Sequence, residues 1–395
     1  MKVPGFRAGA VCAGLRRDGG NQLDLALIVC DAPASAAGTF TRNKVQAAPV
    51  ILSRKRLKSG ITQAILANAG CANAMTGLEG MMAAKASAAA VAKATAIRPV
   101  HVLPASTGVI GTQLPVKKIE AAMPAIVRSL RPDGFDDASR AIMTTDKVPK
   151  TVKITFPVGK AKATLVGLAK GAGMIAPDMA TMLAFLLTDA RAEPDLLQSA
   201  LREAVETSFN RVRVDGDTST NDCALLLAGG AAGNTVLRAA SPASKSLRRA
   251  LNEACYALAE MMARDGEGAT RIMDLRVYGA KSQADALKIG RAIADSPLVK
   301  TALHGADPNW GRIAAAAGRS GADMNPQKLR IIIGGIECVQ RGIPTPDFNE
   351  KRAAAAMRKD IVIIEVCIGL GKASSRFLAS DFSAEYIRIN AHYRT

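Results

Sequence analysis

The chain has 395 residues, 49% of them hydrophobic and 4% aromatic, with 52 Lys+Arg against 34 Asp+Glu and a formal net charge of +18. A chain this long and apolar can bury roughly three quarters of its unfolded surface, which excludes a disordered basic tail and points to two or three structural units. The charge raises nucleic acid as a partner, but the scarcity of aromatic residues argues against base stacking, and no nucleic-acid partner is expected. The seven cysteines form no CxxC pair and suit free thiols in a reducing compartment. His101, His304 and His392 lie far apart, none near Cys at ligand spacing, so no metal site is expected. The N-terminal stretch has no apolar core of a secretory signal, and no apolar run reaches about 18 residues, so no membrane span and a cytoplasmic location are expected.

In chain order, residues 23–30 (LDLALIVC) read as a strand, and residues 50–52, after Ala-Ala-Pro, as another. Residues 79–97 are Ala-rich and helical in character. The strand-like residues 100–103 lead into Ser106-Thr107-Gly108, where a hydroxyl beside a backbone N–H at a glycine turn can bind an oxyanion. Residues 117–130 read as a helix with Pro124 as a kink, and residues 151–168 as one or two strands. Residues 182–187 form a buried apolar strand. Pro194-Asp195 opens a helix over 194–209 with Leu197, Leu201, Val205 and Phe209 on one face. Residues 215–222 are a dense polar run without the Glu that closes an EF-hand, and read as a loop that holds other loops. Residues 243–263 repeat the helical pattern through Leu247, Leu251, Cys255, Leu258 and Met262. Glu267, between two glycines, is hard to explain by packing. Residues 300–313 read as a rigid loop at a domain junction, and residues 329–333 and 360–367 as buried strands. Helices and strands are interspersed, and Lys281-Ser282-Gln283 is the boundary expected between a main unit, 1–280, and a smaller C-terminal unit, 281–395.

The most unusual stretch is KGAGMIAPDMATMLAFLLTDA, residues 170–190. Its glycines suggest a dinucleotide fingerprint, but Pro177 would break the helix that motif requires. Thr181, after the small Ala180 and a glycine-rich turn, can instead be a nucleophile. No histidine is near to serve it, so a Ser-His-Asp arrangement is poorly supported. A Thr freed at its own α-amine carries its base with it, and that amine titrates near pH ~8. Thr181 as an ordinary strand residue remains the bland alternative.

These residues then match a family. KGAGMIAPDMATML resembles the self-cleaving segment of the ornithine acetyltransferase family, also called glutamate N-acetyltransferase, of arginine biosynthesis. GFRAGAVCAGLR, AAPV, ASTGVIG, IMTTD, VDGDTSTND, DGEGAT, DPNWGRI and INAHYRT follow in the family's order. The resemblance implies cleavage between Ala180 and Thr181, an α chain of 1–180 and a β chain of 181–395, and assembly of two α with two β chains. It implies an α+β fold with two stacked β-sheets between helix layers, an αββα-type sandwich, and a smaller C-terminal α/β unit. Thr181 would be the nucleophile and Thr107 with Gly108 the oxyanion pair. Thr144, Lys170, Thr181, Glu267, Asn390 and Thr395 would contact substrate. The implied reaction is ping-pong transfer of acetyl from N-acetylornithine to glutamate through acetyl-Thr181, with no cofactor, and acetyl-CoA as a second donor in some members. The alternative is a self-processing aminopeptidase or amidase. Lys147, Cys71 and His392 depart from the family's usual pattern without touching the nucleophile or oxyanion pair.

Overall fold

The computed structural model describes residues 1–16, 20–175 and 182–392. Its contacts divide the chain into two compact units, one built from Met1–Asn210 and Asp217–Met262, the other from Arg211–Gly216 and Ala263–Tyr393. The order begins β1 (Phe6–Val11), β2 (Leu25–Phe40), α1 (Ala48–Arg56), β3 (Ile61–Asn68), α2 (Gly77–Thr95), β4 (Val102–Ser106), α3 (Val116–Ser129) and α4 (Phe135–Ala141). It continues with β5 (Lys150–Val158), β6 (Ala161–Lys170), β7 (Leu183–Thr188), α5 (Pro194–Thr207), β8 (Val212–Arg213), β9 (Cys223–Ala228) and α6 (Ser244–Arg264). The remainder is β10 (Ile272–Ala280), α7 (Gln283–Ala294), α8 (Pro297–His304), α9 (Trp310–Gly318), β11 (Arg330–Ile333), β12 (Ile336–Gln340), β13 (Ile343–Pro344), α10 (Glu350–Met357), β14 (Ile361–Cys367), β15 (Ala373–Ser380) and α11 (Ala384–His392). The class is α+β, as the resemblance implies, with one mixed sheet in each unit.

The first unit holds an eight-stranded sheet in the order β4-β3-β2-β9-β7-β6-β5, with β1 paired to β2. Side chains alternate across a strand, so β2 serves two cores. Ala26, Ile28 and Cys30 join Phe135 of α4, Phe185 of β7 and Leu225 of β9. Leu25, Leu27 and Val29 join Leu66 of β3, Val91 of α2 and Ile126 of α3. Every residue of β7 and β9 is buried, which explains their unbroken apolar runs: a strand covered on both faces has no polar side. These two strands pair in parallel with Leu183 opposite Cys223, while β6 pairs antiparallel with Lys170 opposite Leu183. That register brings the end of β6, the start of β7 and the start of β9 together. The amphipathic helices α5 and α6 bury the expected stripes, including Leu197, Leu201 and Val205, and Leu247, Leu251, Cys255 and Leu258.

The second unit has a seven-stranded sheet in the order β13-β12-β11-β14-β10-β15-β8. Met273, Leu275 and Val277 of β10 pack with Val362, Ile364 and Val366 of β14 onto Ile289 and Ile293 of α7, Leu303 of α8 and Ile313 of α9. The alternate position Asp274 is held by Arg276 Nη2 at 2.7 Å and Arg376 Nε at 2.6 Å. Because β10 pairs with β14 and β15, the contact division opens this unit's main stretch at Ala263, ahead of the 281 read from the sequence. Among the described residues no helix is long and apolar enough to cross a membrane.

Two sequence readings are corrected. Residues 50–52 lie in α1, a helix: Pro49 sits in its first turn, where a missing N–H is tolerated, and Arg54, Lys55 and Arg56 complement the dipole in its last turn. Residues 300–313 are largely helical rather than a rigid loop. The Ser296 side chain accepts from Val299 N at the start of α8, and the Asn309 side chain accepts from Arg312 N at the start of α9. The Asp-Pro-Asn sequence is thus a helix start. The short helix α4 had no clear sequence signal.

Candidate active site

Thr107 follows β4, and its turn is fixed by a loop after β3. Thr107 N donates to Asn68 O at 2.9 Å, and Val109 N to Gly70 O at 3.3 Å. Ser106 Oγ donates to Asn68 Oδ1 at 2.6 Å, and Asn68 Nδ2 donates to Cys71 O at 2.9 Å. Gly108 has φ +126°, and a Cβ there would lie 2.4 Å from the Gly70 carbonyl carbon, so only glycine fits. The Thr107 hydroxyl is not hydrogen-bonded to any described residue, while its side chain is mostly buried. A rigid turn with an available hydroxyl is the geometry an oxyanion donor needs.

The polar run at 217–222 does hold other loops. Asn221 Nδ2 donates to Ala72 O at 2.6 Å and Ser106 O at 2.8 Å, while Asn43 Nδ2 donates to Thr218 O at 2.8 Å. Asp222, 2% exposed, accepts from Met182 N at 2.9 Å through Oδ1. Burial pushes its carboxyl well above the usual carboxylate range, against the opposing pull of the Met182 amide, the Lys170 charge and the Ser219 side chain.

Lys170, at the end of β6, is 5% exposed, and its Nζ donates to Thr144 Oγ1 at 3.2 Å. Both are anchored by Asp146. Asp146 Oδ1 accepts from Lys150 Nζ at 2.6 Å and Gly171 N at 2.7 Å, and Oδ2 accepts from Thr144 N at 3.0 Å. Burial opposes the Asp146 charge, but the Lys150 and Lys170 cations and these hydrogen bonds hold its carboxyl below the usual range. Of the departures from the family pattern, Lys147 is exposed, while Cys71 is bridged to Thr107 of the oxyanion turn, against the expectation that none touches that pair.

In the second unit, Glu267 is 5% exposed and accepts from Asn390 Nδ2 at 2.8 Å. Ser383 Oγ donates to Gly268 O at 2.6 Å, and a Cβ on Gly268 would meet Tyr386 N at 2.4 Å. The glycine after Glu267 therefore permits close approach to α11, which carries Asn390. The same loop is fastened by Asp381, which accepts from Thr270 N at 2.7 Å and Thr270 Oγ1 at 2.5 Å, and lies 2.8 Å from His304 Nδ1.

The structure thus joins Thr144 with Lys170, sets Thr107 and Gly108 in one constrained turn, and joins Glu267 with Asn390. Ala180, Thr181 and Thr395 lie outside the described residues. Sequence reasoning gave no role to Asp146, Lys150 or Asp381, and none to Asp222 beyond its place in the loop at 215–222. The Asp146–Lys150 pair carries only a carboxylate and a cation four residues apart, a spacing far too common to mark a site.

A model of the ArgJ family matches residues 7–395. The arginine biosynthesis bifunctional protein ArgJ of Geobacter sulfurreducens is 45% identical over 395 residues, covering 100% of each chain. That of Dehalococcoides mccartyi is 46% identical over 391 residues, covering 99% of this chain and 96% of its own. The crystal structure of the arginine biosynthesis bifunctional protein ArgJ from Bacillus halodurans is 41% identical with a TM-score of 0.51, covering 53% of this chain and 98% of that one.

Proposed function

The chain belongs to the ArgJ family, and from that membership we propose that it transfers an acetyl group from N-acetylornithine to glutamate, giving ornithine and N-acetylglutamate for arginine biosynthesis. The observation that carries the reading is the gathering of Lys170, Met182 and Asp222 at the start of β7, directly after Thr181 in the chain.

Self-cleavage between Ala180 and Thr181 gives an α chain of 1–180 and a β chain of 181–395, in an assembly of two of each, and frees the Thr181 α-amine. Thr181 Oγ attacks the acetyl carbonyl while that amine takes its proton; a pKa near ~8 suits a base working around neutral pH. The Thr107 hydroxyl and Gly108 N–H stabilise the tetrahedral oxyanion, each such donor supplying roughly 3–4 kcal/mol. Ornithine leaves, glutamate enters, and its amine attacks the acetyl-Thr181 ester. Lys170 and the hydroxyls of Thr144 and Thr395 bind the α-carboxylate that both substrates share. Glu267 and Asn390 contact substrate as a hydrogen-bonded pair. The reaction needs no cofactor, and the family resemblance leaves acetyl-CoA open as a second donor. The reaction takes place in the cytoplasm, on small molecules alone.

Denaturing mass spectrometry of active protein tests this reading. Two chains, beginning at Met1 and Thr181, are expected; one intact chain in active protein overturns it. Thr181→Ala should leave an uncut chain that moves no acetyl from N-acetylornithine to glutamate. Release of free acetate in place of N-acetylglutamate would make the enzyme an amidase.

A further inference from the structure

Arg16 connects two parts of the first unit's candidate site, the oxyanion turn and the loop of Thr144. Its own loop is pinned by Asp24, whose Oδ1 accepts from Ala13 N at 2.6 Å, and whose Oδ2 accepts from Leu15 N at 2.6 Å and Arg16 N at 3.3 Å. Asp24 O accepts from Ala69 N at 2.9 Å, which ties this loop to the one that fixes the oxyanion turn. The two loops meet at Gly70, where φ is +94° and a Cβ would lie 2.7 Å from Leu15 O and 2.9 Å from Arg16 Cα. Gly70 is also the residue that Gly108 approaches so closely. From this anchored backbone the Arg16 guanidinium reaches the second part of the site: Nη2 donates to Met143 O at 2.6 Å and to Leu23 O at 3.5 Å. Met143 immediately precedes Thr144, whose hydroxyl accepts from Lys170 Nζ. Among the described residues Arg16 forms no ion pair, and its Nε is buried with no hydrogen-bond partner. A half-buried charge without a counter-charge is unfavourable, and neutral side chains can hold two loops together, so scaffolding alone is a poor account of it.

We propose that Arg16 is a positioning residue for substrate binding, setting Thr144 at a fixed spacing from the oxyanion turn. The inference rests on the acetyl-transfer reading above and deepens it. N-acetylornithine has to present its α-carboxylate to Lys170 and Thr144 while its acetyl carbonyl lies against Thr107 and Gly108. Three covalent bonds separate the carbonyl carbon from the carboxylate carbon, so the two are within about 4 Å of each other in any conformation. The product N-acetylglutamate has the same three bonds. Two anchors serving so short a span have to keep their separation, and small misplacements of such groups are costly. Arg16 supplies that constraint, from Gly70 on one side to Met143 on the other.

Steady-state acetyl transfer from N-acetylornithine to glutamate by the purified enzyme tests this. Arg16→Met keeps the aliphatic stem and removes the donors. It should raise KM for both substrates at least fivefold with kcat within threefold of wild type, and Arg16→Lys, which keeps a charged donor, should recover part of the loss. A purely structural defect would instead lower kcat and leave KM in place. Because Arg16 acts through Thr144, its effect should largely vanish once Thr144→Val has cut the bond to Lys170: there Arg16→Met should add less than twofold to KM. KM within twofold of wild type in folded Arg16→Met overturns the proposal, and so does a fall in kcat alone. A KM penalty that repeats in full on the Thr144→Val background overturns it too. Should Arg16→Met fail to fold, Arg16→Gln, too short to reach Met143 O, is judged by the same outcomes; failure of both to fold makes Arg16 scaffold and overturns the assignment. A wild-type enzyme that moves no acetyl defeats the acetyl-transfer reading itself, an outcome separate from normal KM in an active Arg16→Met variant.

Discussion

Asp146 and Asp222 are both buried, both accept backbone N–H groups and both feel the charge of Lys170, but burial leaves them in opposite states. Asp146 has Lys150 Nζ at 2.6 Å and two backbone donors, so a cation and two amides together favour the carboxylate. Asp222 has the Met182 amide and the Ser219 side chain, too little to offset full burial, so its carboxyl is pushed up. The lesson is that burial alone does not set a carboxyl's charge; the number of donors brought to it does. The first arrangement holds a loop in place, and the second leaves an acidic proton beside the start of β7.

The largest effect should come from breaking the satisfied side. Asp146→Ala strands the Lys150 ammonium in the core, and loss of one partner from a buried pair costs about 3–5 kcal/mol. Urea denaturation of the variant should show that loss, and adding Lys150→Met should recover much of it. An Asp146→Ala variant within about 1 kcal/mol of wild type would mean the pair is not buried as described.

Lys170 is the cation common to both carboxyls, so Lys170→Met sharpens the comparison next. Charge-assisted hydrogen bonds contribute about 1.5–3 kcal/mol, so KM for glutamate should rise by about tenfold or more. Both carboxyls should also shift upward, since a cation that favours their charged forms is gone. Unchanged KM would remove Lys170 from carboxylate binding.

Stability against pH separates the two residues by sign. Asp146 is depressed in the folded state, so its contribution is present above the unfolded value, ~3.9, and is lost as pH falls through the folded value. Asp222 is raised, so its contribution is full below ~3.9 and is lost as pH rises toward the folded value. In an uncut Thr181→Ala background, adding Asp222→Asn should therefore gain on its parent as pH rises above ~3.9 toward the raised folded value, at up to about 1.4 kcal/mol per pH unit. Parallel curves would show Asp222 ionised in the fold.

Legibility in the sequence followed the physics of each region. The unbroken run at 182–187 and the stripes of α5 and α6 were readable because burial on two faces, or on one helical face, leaves a periodic trace. Residues 50–52 misled because a β-branched residue after Pro reads as a strand when only three residues are weighed; the basic last turn of α1 lies beyond them. Residues 300–313 misled because Asn309 is both a turn former and a helix cap. The family motifs located Thr144, Lys170, Glu267 and Asn390, but only the β6, β7 and β9 register shows why Lys170 and Asp222 belong together. No spacing rule links a residue at the end of one strand with one just ahead of another.

The smallest predicted effect falls on the link between Lys170 and the Asp146 loop. Thr144 contributes twice: its backbone N–H donates to Asp146 Oδ2 at 3.0 Å, and its hydroxyl accepts from Lys170 Nζ at 3.2 Å. Thr144→Val keeps the first and removes the second. A single hydrogen bond of this kind is worth about 0.5–1.5 kcal/mol, so KM for both substrates should rise by about three- to tenfold while kcat holds. The Asp146 anchor should survive, leaving the urea midpoint close to that of wild type. A large drop in that midpoint with KM unchanged would reverse the division of labour, making the Thr144 side chain part of the scaffold and Lys170 independent of it.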